Sequence, residues 1–202
     1  MAHRIRYAWS ANGSDNTGVS FVCGHCGTLT SAFLTWIATT HQFHHGVLAG
    51  DLAPSFVHVC SACTKPSSFD AVGGAVTPGQ RVGSELKRLP PPVSALWNEA
   101  RDSMGVRAYT AAAMLARKPL MNLAVHEGAS GGLKFIEYVD YLVSNNYVPP
   151  KGKQWVNRIR DKGNEANHEI RQVPEAEAIE VIELTELLLR FNYELSDPAA
   201  SP

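Results

Sequence analysis

The sequence predicts an α+β chain: a small β-rich module over residues 1–75, then an antiparallel bundle of five helices over residues 93–197. Three observations carry that prediction. Two cysteine pairs of identical spacing, Cys23-Gly-His-Cys26 and Cys60-Ser-Ala-Cys63, stand in the first third, and no cysteine follows them. A proline-rich stretch over residues 76–92 then changes the texture of the chain. From Val93 onward, apolar residues recur at the 3.6-residue spacing of helices packed on one core.

In the first module, Phe21-Val22 and Phe56-Val57-His58-Val59 read as short strands that each enter a cysteine turn. Each CxxC is a chelating knuckle, because two intervening residues let one tight turn aim both sulfurs at a single ion. Two knuckles supply four thiolates, Cys23, Cys26, Cys60 and Cys63, which is the donor set of a closed structural Zn2+ site. Disulfides are the alternative, but they need an oxidising compartment, and Met-Ala-His-Arg-Ile-Arg lacks the apolar run of a signal peptide. A thioredoxin-like redox motif needs one CxxC at the start of a helix rather than two matched pairs. Histidines 25, 41, 44, 45 and 58 lie near enough to substitute as ligands, with His25 read as a solvated turn residue. Thr28 to His45, aromatic and β-branched without a clear period, reads as strand with room for a short helix. So small a module buries little apolar surface, and metal binding is expected to supply much of its folding free energy. The expected compartment is the cytoplasm.

The junction is bracketed by Thr77-Pro78-Gly79 and Leu89-Pro90-Pro91-Pro92, an extended and stiff linker. Val93, Leu96, Trp97 and Ala100 begin the first helix. The second spans Met104 to Glu127, with Pro119 forcing a kink or break near Ala116 and Gly128 as the stop. The third runs from Leu133 to Asn145, the fourth from Lys151 to Ile170, and the last from Val173-Pro174 to Phe191. Arg117 and Glu99 are expected to pair across facing helices, and His126 to cap a helix end.

Composition adds limits. A hydrophobic share of 45% and a charged share of 18% are ordinary for a folded chain. No run approaches the roughly 18 apolar residues of a membrane-spanning helix, and a net charge of −1 carries no global basic bias toward nucleic acid. Charge is uneven locally: Lys151, Lys153, Arg158, Arg160 and Lys162 crowd one segment, and Glu175, Glu177, Glu180, Glu183 and Glu186 another.

In the fourth helix, Trp155, Val156, Ile159, Gly163, Ala166 and Ile170 fall in one arc about 100° wide, a core-facing stripe. Arg160, Asn164, Asn167 and His168 lie beside it, and Gly163 within it suggests close approach of another helix. The segment Arg160-Asp-Lys-Gly163-Asn164-Glu-Ala-Asn-His168 resembles the Arg…Gly-Asn…His signature of the bacterial family known as domain of unknown function 4145. The paired knuckles, the proline-rich approach, Asn98-Glu99-Ala100 and the alanine-rich helix with Arg117 extend the resemblance over most of the chain. Met121 stands where that family commonly has an acidic residue.

The family is similar in turn to HEPN domains, helical units that often dimerise and many of which are metal-independent ribonucleases built on an Arg-x4–6-His motif. The resemblance implies a HEPN-like bundle behind a zinc ribbon, a homodimer, and a setting in bacterial or phage conflict. Two functions follow as expectations. One is an interaction module that binds a protein, RNA or DNA partner and no membrane. The other is a ribonuclease in which His168 moves the proton of the ribose 2′-OH, Arg160 holds the phosphate and Asn164 assists. Seven residues separate Arg160 from His168, one more than the HEPN motif spans.

Overall fold

The computed structural model describes residues 5–12, 20–44, 47–70, 75–168 and 172–195, and side chains over 20–32, 34–36, 56–70, 75–162 and 172–195. The chain is α+β and divides into two compact units, Met1–Gln80 and Arg81–Pro202. Among the described residues, no helix is long and apolar enough to cross a membrane.

The first unit is an antiparallel sheet of six strands: β1 (Ile5–Asn12), β2 (Ser20–Val22), β3 (Leu29–His44), β4 (Val47–Cys60), β5 (Pro66–Phe69) and β6 (Val76–Thr77). The order is β1-β3-β4-β5-β6. β2 pairs with Leu29–Ser31 at the start of β3, and β1 with Thr35–Gln42 further along it. Phe21-Val22 lies in the short strand expected, the three-residue β2, whereas Phe56–Val59 is the end of the 14-residue β4, and β3 runs for 16 residues. No short helix interrupts β3. Pro54, a residue that cannot donate to a ladder, is accommodated where Ala38 pairs Ser55 and Thr40 pairs Leu52. Thr39 alone stands opposite Ala53-Pro54 there, a bulge that lets the strand continue past the proline.

Among the described side chains, the core of this unit is small. Phe21, Cys23 and Cys60 are buried, and Ala32, Cys63 and Phe69 pack against them. Alongside, His58 is buried with Nδ1 2.8 Å from Thr35 Oγ1. Its ring stacks on Phe21 and Phe56 and meets the edge of Phe69 at 4.5 Å. Burial in that apolar box lowers the His58 pKa, so the imidazole stays neutral.

The second unit holds α1 (Pro91–Gly105), α2 (Tyr109–Leu115), α3 (Arg117–His126), α4 (Phe135–Ser144), α5 (Lys153–His168) and α6 (Glu175–Tyr193). The five helices expected are present, the second in two pieces that meet at Ala116. Pro119 removes the bond that would have crossed that point. Thr185, fully buried on α6, points its hydroxyl at the Ala116 carbonyl, 3.4 Å away. Met104 completes α1 rather than starting the next helix. Helix α1 itself starts inside the proline triplet, since Pro91 and Pro92 occupy its first turn, where a missing N–H is harmless.

One core unites the six helices: Trp97 and Ala100 of α1, Leu120 and Leu123 of α3, Leu142 of α4, Val156 and Ile159 of α5, and Val181, Ile182, Leu188 and Leu189 of α6. The stripe expected on α5 is seen at Trp155, Val156 and Ile159. Gly163, Ala166 and Ile170 lie outside the described side chains. Residues 82–87, within the stretch read as a linker, are fastened to the helices. Trp97 Nε1 donates to the Ser84 carbonyl at 3.0 Å, and Arg101 donates to the Val82 and Gly83 carbonyls at 3.3 and 2.9 Å. The Ser84 and Lys87 N–H groups donate to Glu186 and Glu194 of α6.

Two side-chain expectations are corrected. Arg117 does not pair with Glu99, which is exposed; its guanidinium lies 4.3 Å from the Phe135 ring centroid, and burial lowers its pKa. His126 caps no backbone group, because its Nδ1 lies 3.1 Å from the Glu127 carboxylate at the exposed end of α3.

Candidate metal centre

Each knuckle is the turn of a small hairpin. The first joins β2 to β3 and the second joins β4 to β5, and β3 and β4 pair beside them, so one end of the sheet brings both turns together. The two turns share one backbone design. Gly27 N donates to the Cys23 carbonyl at 2.8 Å and Cys23 N to the Thr28 carbonyl at 3.0 Å. In the second, Thr64 N donates to the Cys60 carbonyl at 2.9 Å and Cys60 N to the Lys65 carbonyl at 3.1 Å. Gly27 and Thr64 occupy the matching left-handed position, with φ of 72° and 59°.

The result is a compact cluster. The sulfurs of Cys23, Cys26, Cys60 and Cys63 all lie within 4.8 Å of one another. Two of the separations, Cys23 to Cys63 and Cys26 to Cys60, are 3.7 and 3.8 Å. A sulfur tetrahedron with metal–sulfur bonds of about 2.3 Å has edges of about 3.8 Å, whereas a disulfide needs about 2.05 Å. All four cysteines are free, and the arrangement is a possible metal site made entirely of sulfur.

The surroundings fit thiolate ligands. Ala62 N and Cys63 N point at Cys60 Sγ at 3.3 and 3.4 Å, supplying donors to an anionic sulfur. The four thiols differ in how readily they ionise. The Thr28 hydroxyl and N–H bring the Cys26 thiol down to about 6. Burial opposes ionisation of Cys60, but the N–H groups of Cys63 and Ala62 outweigh it and lower its pKa. Burial raises Cys23, and it pushes Cys63 up to about 12. A divalent cation held by these sulfurs would favour the thiolate at every position.

The histidines considered as substitute ligands are engaged elsewhere or lie outside the described side chains. His25 is not merely a solvated turn residue: its Nε2 lies 2.9 Å from the Pro66 carbonyl and ties the first knuckle to the strand after the second. His58 is held by Thr35. The side chains of His41, His44 and His45 are not among those described. Sequence reasoning missed a steric contributor. A Cβ on Gly24 would lie 2.2 Å from the Pro78 carbonyl oxygen and 2.4 Å from that of Gly79, so the first knuckle is packed under that loop. Gly24→Ala is expected to destabilise the first unit by about 1–3 kcal/mol through overpacking. Thermal melting with metal present checks it, and an unchanged transition would contradict the close packing.

The residues proposed for RNA chemistry are less complete. Arg160 is half-exposed and its guanidinium binds Asp161 at 2.8 Å. The side chains of Asn164, Asn167 and His168 lie outside those described, although their backbone is helical. The basic segment around Arg160 is largely neutralised. Arg158 pairs with Glu180, and Lys162 with Glu177 at 3.1 Å, so the basic run on α5 faces the acidic run on α6. Lys151 and Lys153 are exposed.

No curated protein and no solved structure matches the chain. The family model described as "Domain of unknown function (DUF4145)" matches residues 98–201, which takes in the helical unit from the second turn of α1 onward. The chain therefore belongs to that family.

Proposed function

We propose that this chain is an interaction module: a zinc ribbon held in shape by one structural Zn2+, joined to a HEPN-like helical unit that binds a protein partner. The observation that carries the reading is the closed all-sulfur cluster. Four thiolates satisfy a tetrahedral zinc completely and leave no position for water or substrate, so the ion orders the fold rather than driving a reaction. A reducing compartment, the cytoplasm, keeps such thiols available.

A protein partner is favoured over RNA or DNA by the charge pairing between α5 and α6. Nucleic-acid binding draws its affinity from cations that neutralise phosphates, and Arg158, Arg160 and Lys162 already face carboxylates. The homodimer and the setting in bacterial or phage conflict accompany the HEPN-like reading and rest on the family resemblance.

The test separates module from ribonuclease. Purified protein, incubated in excess with mixed RNA in EDTA over a range of pH, is expected to leave the RNA intact. Cleavage that disappears in the His168→Ala variant would overturn the reading and establish the Arg160–Asn164–His168 ribonuclease instead.

A further inference from the structure

At one end of the helical unit, a cavity of about 380 Å³ opens between the C-terminus of α3, the α4–α5 connection and the last turn of α6. It is lined by Glu127, Asn146, Tyr147, Phe191, Asn192 and Leu195. Among these, Glu127 is the only charged residue. Its backbone is anchored, since the Tyr141 hydroxyl donates to the Glu127 carbonyl at 2.5 Å. Its carboxylate interacts with the Tyr147 hydroxyl and lies 3.1 Å from His126 Nδ1.

The phenols around this carboxylate are neutral. The Glu127 carboxylate raises the Tyr147 pKa. Burial, with the Glu127 charge adding to it, pushes Tyr193 up to about 12. The Tyr193 hydroxyl is buried without a hydrogen-bond partner among the described residues. The groove combines the Glu127 carboxylate with the aromatic rings of Tyr147 and Phe191. That combination complements an organic cation, through charge at the carboxylate and through cation–π attraction at the rings.

We infer that this groove binds an arginine side chain presented by a protein partner. Arginine suits it better than lysine: its planar guanidinium stacks on aromatic rings and bonds a carboxylate through a fork, whereas an ammonium is compact and strongly hydrated. The chain's own residues 196–202, Ser-Asp-Pro-Ala-Ala-Ser-Pro, include an acid and no base, so their charge does not complement Glu127. The inference rests on reading the helical unit as an interaction module, and it names the chemistry of that module's partner.

The test is an NMR titration of the full zinc-loaded chain with Nα-acetyl-arginine amide, alongside the lysine and citrulline amides. Citrulline has nearly the shape of arginine without its charge. Arginine is expected to shift the Tyr147, Phe191 and Asn192 amide signals saturably in the millimolar range. Citrulline should give no saturable shift, lysine at least a threefold weaker response, and Glu127→Gln at least a fivefold loss of arginine affinity. Equal responses to arginine and citrulline, or arginine binding unchanged in Glu127→Gln, would overturn the site. Equal arginine and lysine binding would overturn the choice of guanidinium. The citrulline comparison uses the wild-type protein and decides the matter even if the variant fails to fold. RNA cleavage in the earlier assay would remove the module reading, whereas failure here would remove only the groove.

Discussion

Cys60→Ser is expected to release the metal and unfold the first unit while the helical unit stays folded. Zinc content should fall from about one ion per chain to near zero, and the melting profile should lose one transition and keep the other. The reason lies in what the metal holds together. The buried side-chain core described for the first unit is Phe21, Cys23 and Cys60, two of which belong to the proposed ligand set. Structural zinc sites supply apparent free energies of about 10–16 kcal/mol, comparable with or larger than the whole stability of a typical domain, about 5–15 kcal/mol. Cys60 is the severest position to lose, because it is fully buried and accepts both N–H···S contacts, from Ala62 and Cys63. A serine oxygen there is a poor zinc ligand at neutral pH. The helical unit has its own large core, so its transition should persist. Metal analysis and circular dichroism check both halves, and a variant that still holds close to one zinc would contradict the four-thiolate assignment.

The cysteine cluster was legible in the sequence because its determinants are largely local. A CxxC turn is recognisable from four consecutive residues, and the meeting of the two knuckles is the long-range part. The strand lengths were not legible. Residues 28–45 have no period-two alternation to reveal β3, and Pro54 reads as a terminator until a bulge is seen to absorb it. The break at Ala116 could be read from Pro119, since a proline acts on its own turn. The start of α1 was displaced because a proline triplet both stops a preceding element and starts a following one.

Charge was readable as composition and unreadable as pairing. The basic and acidic runs were visible, but only the packing of α5 beside α6 shows that Arg158 and Lys162 meet Glu180 and Glu177. The same limit hid the groove around Glu127. Its wall combines α3, a connecting turn and the end of α6, and no spacing in the sequence marks residues 127, 147 and 191 as neighbours.

Trp97→Ala is expected to cost the helical unit about 3–5 kcal/mol, the range for removing a large buried aromatic. Trp97 is 1% exposed and at the centre of the core. It also secures the segment before α1: its N–H holds the Ser84 carbonyl, and the Arg101 guanidinium, 5.9 Å from its ring, binds the carbonyls of Val82 and Gly83. Gly83 sits at φ +78°, and a Cβ there would come within 2.9 Å of the indole, so segment and ring are closely fitted. Two contributions are thus at stake, and a second variant divides them. Trp97→Phe keeps most of the apolar filling and deletes the indole N–H, so it should cost about 0.5–1.5 kcal/mol for the lost hydrogen bond to the exposed Ser84, plus a smaller packing loss. Urea unfolding monitored by circular dichroism measures both, and hydrogen exchange at the Ser84 and Lys87 amides reports whether the strap loosens first. If Trp97→Ala lost under about 1 kcal/mol, the surrounding helices would have to collapse into the vacated space. The strap over residues 82–87 would then owe its position to Glu186 and Glu194 rather than to the indole.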